Sequence, residues 1–133
     1  MQTFLPYQSF AESLACLDNK RLGKQRVEAM QILQALQPGS TSRWRNHPAV
    51  KMWANYVPAL TMYHDLAIAF WKARGFKNTM QFRLTEEREI IFPVWLNEEF
   101  CSRHRSNLLR KDYEFYSKYG WTEPSDLEYI WPT

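Results

Sequence analysis

Apolar residues recur at every third or fourth position through two long runs of this chain, and nowhere do they alternate for long enough to read as a strand. In the first run Leu22, Ala29, Met30, Leu33 and Leu36 fall on one stripe. In the second the stripe is Val50, Trp53, Ala54, Val57, Leu60, His64, Ala67, Ile68 and Trp71. Such a chain has to bury its apolar faces helix against helix. Its 133 residues suffice for one core and not two. The expected architecture is therefore all-α: a compact single domain over 1–133, three main helices, loop-rich connections and an extended C-terminal tail.

Local signals place the elements. A short helix is expected from about Ser9 to Cys16, with Asp18 as N-cap of a long helix that Pro38-Gly39 stops. Pro48 suits the first turn of a second helix reaching Arg74-Gly75, kinked at Pro58. Glu86 to Phe92 reads as a helical turn broken at Pro93, followed by a third long helix from Trp95 to Lys111 and a short turn capped by Asp112. His64 lies on the buried stripe and is expected to be a core histidine.

The strongest chemical signal is KRLGKQRVE, residues 20–28, in which four cations surround one carboxylate. At about 100° per residue, Arg21, Lys24, Gln25 and Glu28 share one side of the helix, away from the apolar stripe. The acid is thus held in a positive field on a face open to a ligand, the arrangement needed to draw in a polyanion and move protons at its sugar or base. An ordinary solvated face with local ion pairs is the competing reading. Arg26 argues against it, because it points into the apolar stripe, where an unpaired guanidinium is costly.

Charge distribution extends the signal. The net charge is only +3, but residues 1–80 carry ten Lys or Arg against four Asp or Glu, while the remainder carries seven against ten. A one-sided anion-binding surface follows. In the loop before Pro48, Trp44 stands between Arg43 and Arg45, with His47 after them, a composition suited to nucleic-acid contact or to a packing lid. In the third helix SRHRSNLLRK holds no acid. Arg103, Asn107 and Arg110, at i, i+4 and i+7, then form with His104 a donor row for phosphates or base edges, unless the arginines pair with Glu98 and Glu99.

Cys16 and Cys101 stand alone, without the spacing of a zinc site or a disulfide framework, so neither metal nor cofactor is expected. No apolar run is long enough to span a bilayer, and the polar start is not a secretory signal. A monomeric cytoplasmic protein is the simplest expectation, with a polyanion as the expected partner. On residues alone, an enzyme acting on DNA, a non-catalytic DNA binder and a protein-interaction module using exposed aromatics all remain open. The last gives no reason for two acid-poor basic helices.

Three blocks resemble the pyrimidine-dimer DNA glycosylases, the endonuclease V type of T-even bacteriophages. LGKQRVE, Leu22 to Glu28, is similar to their first-helix motif ending in a glutamate. LAIAFWKARGFKNT, Leu66 to Thr79, is similar to the end of their second helix, and RHRSNLLRKDYEFYSKYG, Arg103 to Gly120, to their third helix and the aromatic segment after it. The resemblance implies a metal-free three-helix fold acting as N-glycosylase and AP lyase. An N-terminal α-amine attacks the sugar C1′, expels the damaged base and holds the sugar as a Schiff base, and β-elimination then nicks the strand. It assigns the amine to Met1 and the acid/base role to Glu28. It makes Arg21, Lys24 and Arg26 candidates for phosphate and sugar contacts, and sets Arg105, Arg110 and Lys111 beside the DNA. The chemistry suits an α-amine, whose ordinary pKa of about 7.7 to 8 leaves far more free base at neutral pH than a lysine has. Two features depart from the family pattern: Gln2 is too large to favour removal of Met1, and the arm before the glutamate is longer. Lys20 or Lys24 is the substitute nucleophile.

Overall fold

The computed structural model describes residues 1–132. These contain α1 (Phe10–Ala15), α2 (Asn19–Ala35), α3 (Pro48–Lys51), α4 (Val57–Ala73), α5 (Glu98–Lys111) and α6 (Tyr113–Tyr116), a 3-10 turn (Ser117–Tyr119), and no strand. The all-α expectation holds. Three of these helices are long, and each has a local reason to begin where it does. Asp18 accepts from the Arg21 N–H at the start of α2, and Asn97 accepts from the Phe100 N–H at the start of α5. Helix α4 carries Pro58 in its first turn, where a missing N–H costs nothing.

Pro58 also explains the main departure from the expected elements. The helix starting at Pro48 ends at Lys51, because a proline at 58 cannot donate back to residue 54 and so begins a new helix rather than kinking an old one. Residues 86–92 are irregular. Pro93 disfavours helical backbone at Phe92, and so short a turn with Ile91 and Phe92 exposed has no buried face to hold it.

Helices α2 and α4 make the largest helix–helix contact. Gly23 allows it: a Cβ there would lie 2.9 Å from the Trp71 ring. Between these helices and α5 runs the N-terminal arm, in which residues 2–6 are all buried although no element was expected there. An extended buried segment must find partners for its backbone, and side chains of the surrounding helices supply them. The Phe4 N–H donates to Gln25 Oε1 (2.8 Å), the Leu5 N–H to His104 Nδ1 (3.0 Å). The Phe4 carbonyl accepts from the Tyr63 hydroxyl (2.9 Å) and the Pro6 carbonyl from Arg105 (2.8 Å). Trp53 Nε1 donates to the Thr3 hydroxyl at 3.1 Å.

The polar row of α5 holds the C-terminal segment. The Arg105 Nε–H is shared between the two Glu123 carboxylate oxygens at 2.9 Å and 3.0 Å, and its Nη2 pairs with Glu98. Ser106 donates to the Pro124 carbonyl and accepts from the Leu127 N–H, Asn107 donates to the Leu127 carbonyl, and Arg103 donates to the Glu128 carbonyl. Arg110 reaches Asn107 and the Ser125 carbonyl. The expected tail is thus an extended strap laid across the third helix.

His104 yields a test of this frame. Its ring is fully buried against Phe4, Phe100 and Tyr129, and burial pushes its pKa down to about 3. The unfolded chain takes up this proton near pH 6.5 and the folded one does not. The contribution is therefore complete above pH 6.5 and drains away as the pH falls toward 3, at up to about 1.4 kcal/mol per pH unit. Urea unfolding between pH 7 and pH 4 should show this loss, and His104→Gln, which keeps an acceptor for the Leu5 N–H, should flatten it.

Candidate active site

A cleft of about 260 Å³ opens where the N-terminal arm meets α2, lined by Met1, Gln2, Phe4, Lys20, Arg21, Lys24, Gln25, Glu28, Lys111 and Tyr129. Helix periodicity brings the α2 residues to it, since 21, 24, 25 and 28 share one side, and Gln25 on the inner edge reaches into the core. Its Nε2 donates to Glu28 Oε2 (2.9 Å) and to the Gln2 carbonyl (3.0 Å). Its Oε1 accepts from the Phe4 N–H and shares the Tyr63 hydroxyl proton (2.5 Å) with the Phe4 carbonyl. One carboxamide therefore fastens the acid and the arm to the same point.

Glu28 is half-buried, and this burial raises its pKa above the ordinary glutamate value. The Met1 α-ammonium, a hydrogen bond from the Gln2 N–H, the Lys24 charge and the Gln25 amide all oppose the rise without cancelling it. The terminus and the acid thus share one cleft without a direct ion pair. The terminal charge is felt at His47 too, where burial first and the α-ammonium second lower the imidazole pKa. His47 Nδ1 caps α3 by accepting from the Ala49 N–H at 3.0 Å.

Seven of the residues singled out from sequence meet here: Met1, Lys20, Arg21, Lys24, Gln25, Glu28 and Lys111. The loop before α3 adjoins them through rings. Arg43 lies over Trp44 at 4.8 Å, Trp44 touches His47 edge-on, His47 touches Trp131, and Trp131 touches Tyr129 of the cleft wall. Arg45 folds back on the Ser42 carbonyl at 2.8 Å.

The others lie elsewhere. Arg26, a candidate for phosphate and sugar contacts, is turned to the far side of α2, stacked 4.5 Å over Trp71 and bonded to Asn78 at 2.6 Å; these partners relieve the cost of a guanidinium on the apolar stripe, and it is not in the cleft. His104, Arg105 and Asn107 are buried, and with Arg103 and Arg110 they serve the arm and the tail rather than presenting a donor row. The reason is that the tail supplies the carbonyls and carboxylate which α5, read alone, had seemed to reserve for phosphates. Gln25 was legible on this face but its fastening role was not, and Tyr129 carried no signal as a site residue.

Among the described residues no three His, Cys, Asp or Glu side chains gather as metal ligands, and no helix is long and apolar enough to cross a membrane. An acid and a chain terminus set in a cationic cleft on an all-helical frame mark a protein that handles an anionic polymer. The family model described as pyrimidine dimer DNA glycosylase matches residues 1–84, and the chain belongs to that family. Its general activity is therefore that of a DNA-repair glycosylase, with DNA as substrate. No curated protein and no solved structure matches the chain. The matched stretch includes the arm and the whole of α2, whereas Lys111 and Tyr129 of the cleft lie beyond it.

Replacing Gln25 with Ala leaves the Phe4 N–H and the Gln2 carbonyl without their partner in the core. At about 1 to 3 kcal/mol for each stranded buried group, unfolding free energy should fall by roughly 3 kcal/mol or more in urea titrations.

Proposed function

We propose that the protein excises damaged or modified pyrimidines from double-stranded DNA and nicks the resulting site as an AP lyase, through a Schiff base to the Met1 α-amine. The observation that carries this reading is the shared cleft of Met1 and Glu28 among Lys20, Arg21, Lys24 and Lys111. The cations suit the phosphates on either side of one deoxyribose, and the cleft between them suits the sugar. The amine lone pair attacks C1′, and the C1′–N bond breaks with its electrons leaving on the base. Loss of one proton from the new ammonium leaves a sugar aminal, whose nitrogen lone pair opens the ring: the C1′–O4′ bond breaks, O4′ takes a proton, and the iminium results. A proton is then removed from C2′, the C3′–O bond breaks, and the phosphate departs with the electron pair. Glu28 is the group beside the amine that takes and returns protons in these steps, and a carboxyl whose pKa is raised by burial suits that exchange better than an ordinary one.

Reaching C1′ requires the nucleotide to leave the stack, at a cost of a few kcal/mol that the cationic surface offsets. Arg43, Trp44, Arg45 and His47, on the loop joined to the cleft wall, are assigned to the flanking DNA. Lys24 and Lys20 line the same cleft and are the alternative nitrogens for the Schiff base.

Borohydride reduction in the presence of UV-irradiated or abasic duplex should trap a covalent adduct, and peptide mapping should place the sugar on Met1. An adduct on Lys24 or Lys20 would move the nucleophile and keep the mechanism. Neither adduct nor nicking, with salt-dependent binding retained, would make the protein a non-catalytic DNA binder instead. Glu28→Gln should bind the same duplex unchanged and lose about 100-fold or more in turnover. On the acid side of the wild-type pH profile, below the fall caused by protonating the amine, a second fall should begin above the ordinary glutamate value and be absent from Glu28→Gln, since burial raises the Glu28 pKa and protonation removes the base.

A further inference from the structure

Arg21 is the one arginine among the cations of the cleft. The lysines there are point charges on flexible stems, whereas a guanidinium is a planar fork that matches two phosphate oxygens at once. The fork is selective only if its plane is held, and here it is. Arg21 Nη1 donates to Asp18 Oδ1 at 3.2 Å. Asp18 is itself fixed from the other side: its carboxylate receives the Tyr116 hydroxyl, and its backbone N–H donates back to that hydroxyl oxygen at 3.2 Å. Tyr116 is fully buried and lies parallel to Trp121 at 5.7 Å, so the chain of contacts ends on an immobile ring.

The side chains of Arg21 and Asp18 are 19% and 14% exposed, sheltered from solvent yet open at the cleft edge. Burial pushes the Asp18 carboxyl up, but the Tyr116 hydroxyl and the Arg21 guanidinium outweigh it and hold the pKa below the usual range, so the acid stays ionised. Capping α2 does not by itself explain an aspartate here, because a serine would serve that purpose. A carboxylate beside a phosphate site weakens attraction, so its presence asks for another role.

We infer that Asp18, locked by Tyr116, is a positioning residue that aims the Arg21 guanidinium at a backbone phosphate next to the sugar held beside Glu28. Arg21 and Glu28 lie seven residues apart on one face of α2, roughly 10 Å along its axis, a span that a long arginine side chain shortens to the reach of one nucleotide. Tyr116 lies outside residues 1–84, so the clamp is completed by a part of the chain beyond the family match. The inference rests on the reading given under Proposed function.

The experiment compares affinity for a duplex carrying a tetrahydrofuran abasic analogue with affinity for the same duplex intact, at fixed salt. Asp18→Asn keeps an N-cap and an acceptor for Tyr116 but loses the charge that holds Arg21. It should bind the intact duplex as tightly as wild type or more so, while losing about ten-fold on the abasic duplex. Arg21→Ala should show the same selective loss, and the double variant should lose no more than Arg21→Ala alone. Tyr116→Phe, which removes only the hydroxyl, should reproduce the selective loss in milder form, about three-fold. Turnover at saturating abasic substrate should stay within two-fold of wild type for Asp18→Asn, the effect appearing in KM. Parallel loss on both duplexes, additive losses in the double variant, or an unaltered preference in Tyr116→Phe would each overturn the assignment. Absence of a borohydride adduct with wild type would sink the lyase reading, whereas an adduct together with an additive cycle would sink only the role of Asp18.

Discussion

The carboxamide of Gln25 is the point on which this structure turns. An amide side chain offers two N–H donors and one acceptor oxygen with two lone pairs, and all four positions are used, on Gln2, Glu28, Phe4 and Tyr63. A fully satisfied polar group inside a core is restrictive, because every small displacement breaks a bond that no water can replace. The arm can therefore enter between α2, α4 and α5 in one register only. Fixing the arm fixes where the chain begins in space, and that is the wall of the cleft.

A second layer of polar order lies on α5, which faces the arm with His104 and Arg105 and the tail with Arg103, Arg105, Ser106, Asn107 and Arg110. Its hydrogen-bonding capacity is directed inward. The cleft receives only Lys111 from its last turn and Tyr129 from the strap that it holds. Three of the four cationic side chains of the cleft thus come from the start of α2, within the part of the chain where Lys and Arg exceed Asp and Glu.

The helices were largely legible from the sequence because apolar spacing and caps are local signals. Asp18 and Pro48 mark helix starts in the structure as they do in the text of the chain, and His64 is buried as its place on the stripe implied. Pro58 was read as a kink because its neighbours on both sides keep the helical period; only the loss of donation to residue 54 reveals a new start. The side of α2 bearing Arg21, Lys24 and Glu28 was legible for the same local reason. What failed to show was any role that depends on a distant partner. Arg26 reads as unpaired until Asn78 and Trp71 arrive, and the α5 row reads as free until residues 121–131 are laid on it. The buried arm has neither helical period nor strand alternation, since its order comes from side chains of three other elements.

The arm's bonds to α5 join residues 99 positions apart in the chain. The arm is made before α5 and must wait for that helix before the Leu5 N–H and the Pro6 carbonyl find their partners, and until then Phe4 and Leu5 are exposed apolar side chains next to unpaired backbone groups. Long-range closure of this kind slows folding and leaves a nascent chain open to association. Co-translational assembly of this enzyme should accordingly proceed from α2 and α4 outward, with its own first residues docking at the end.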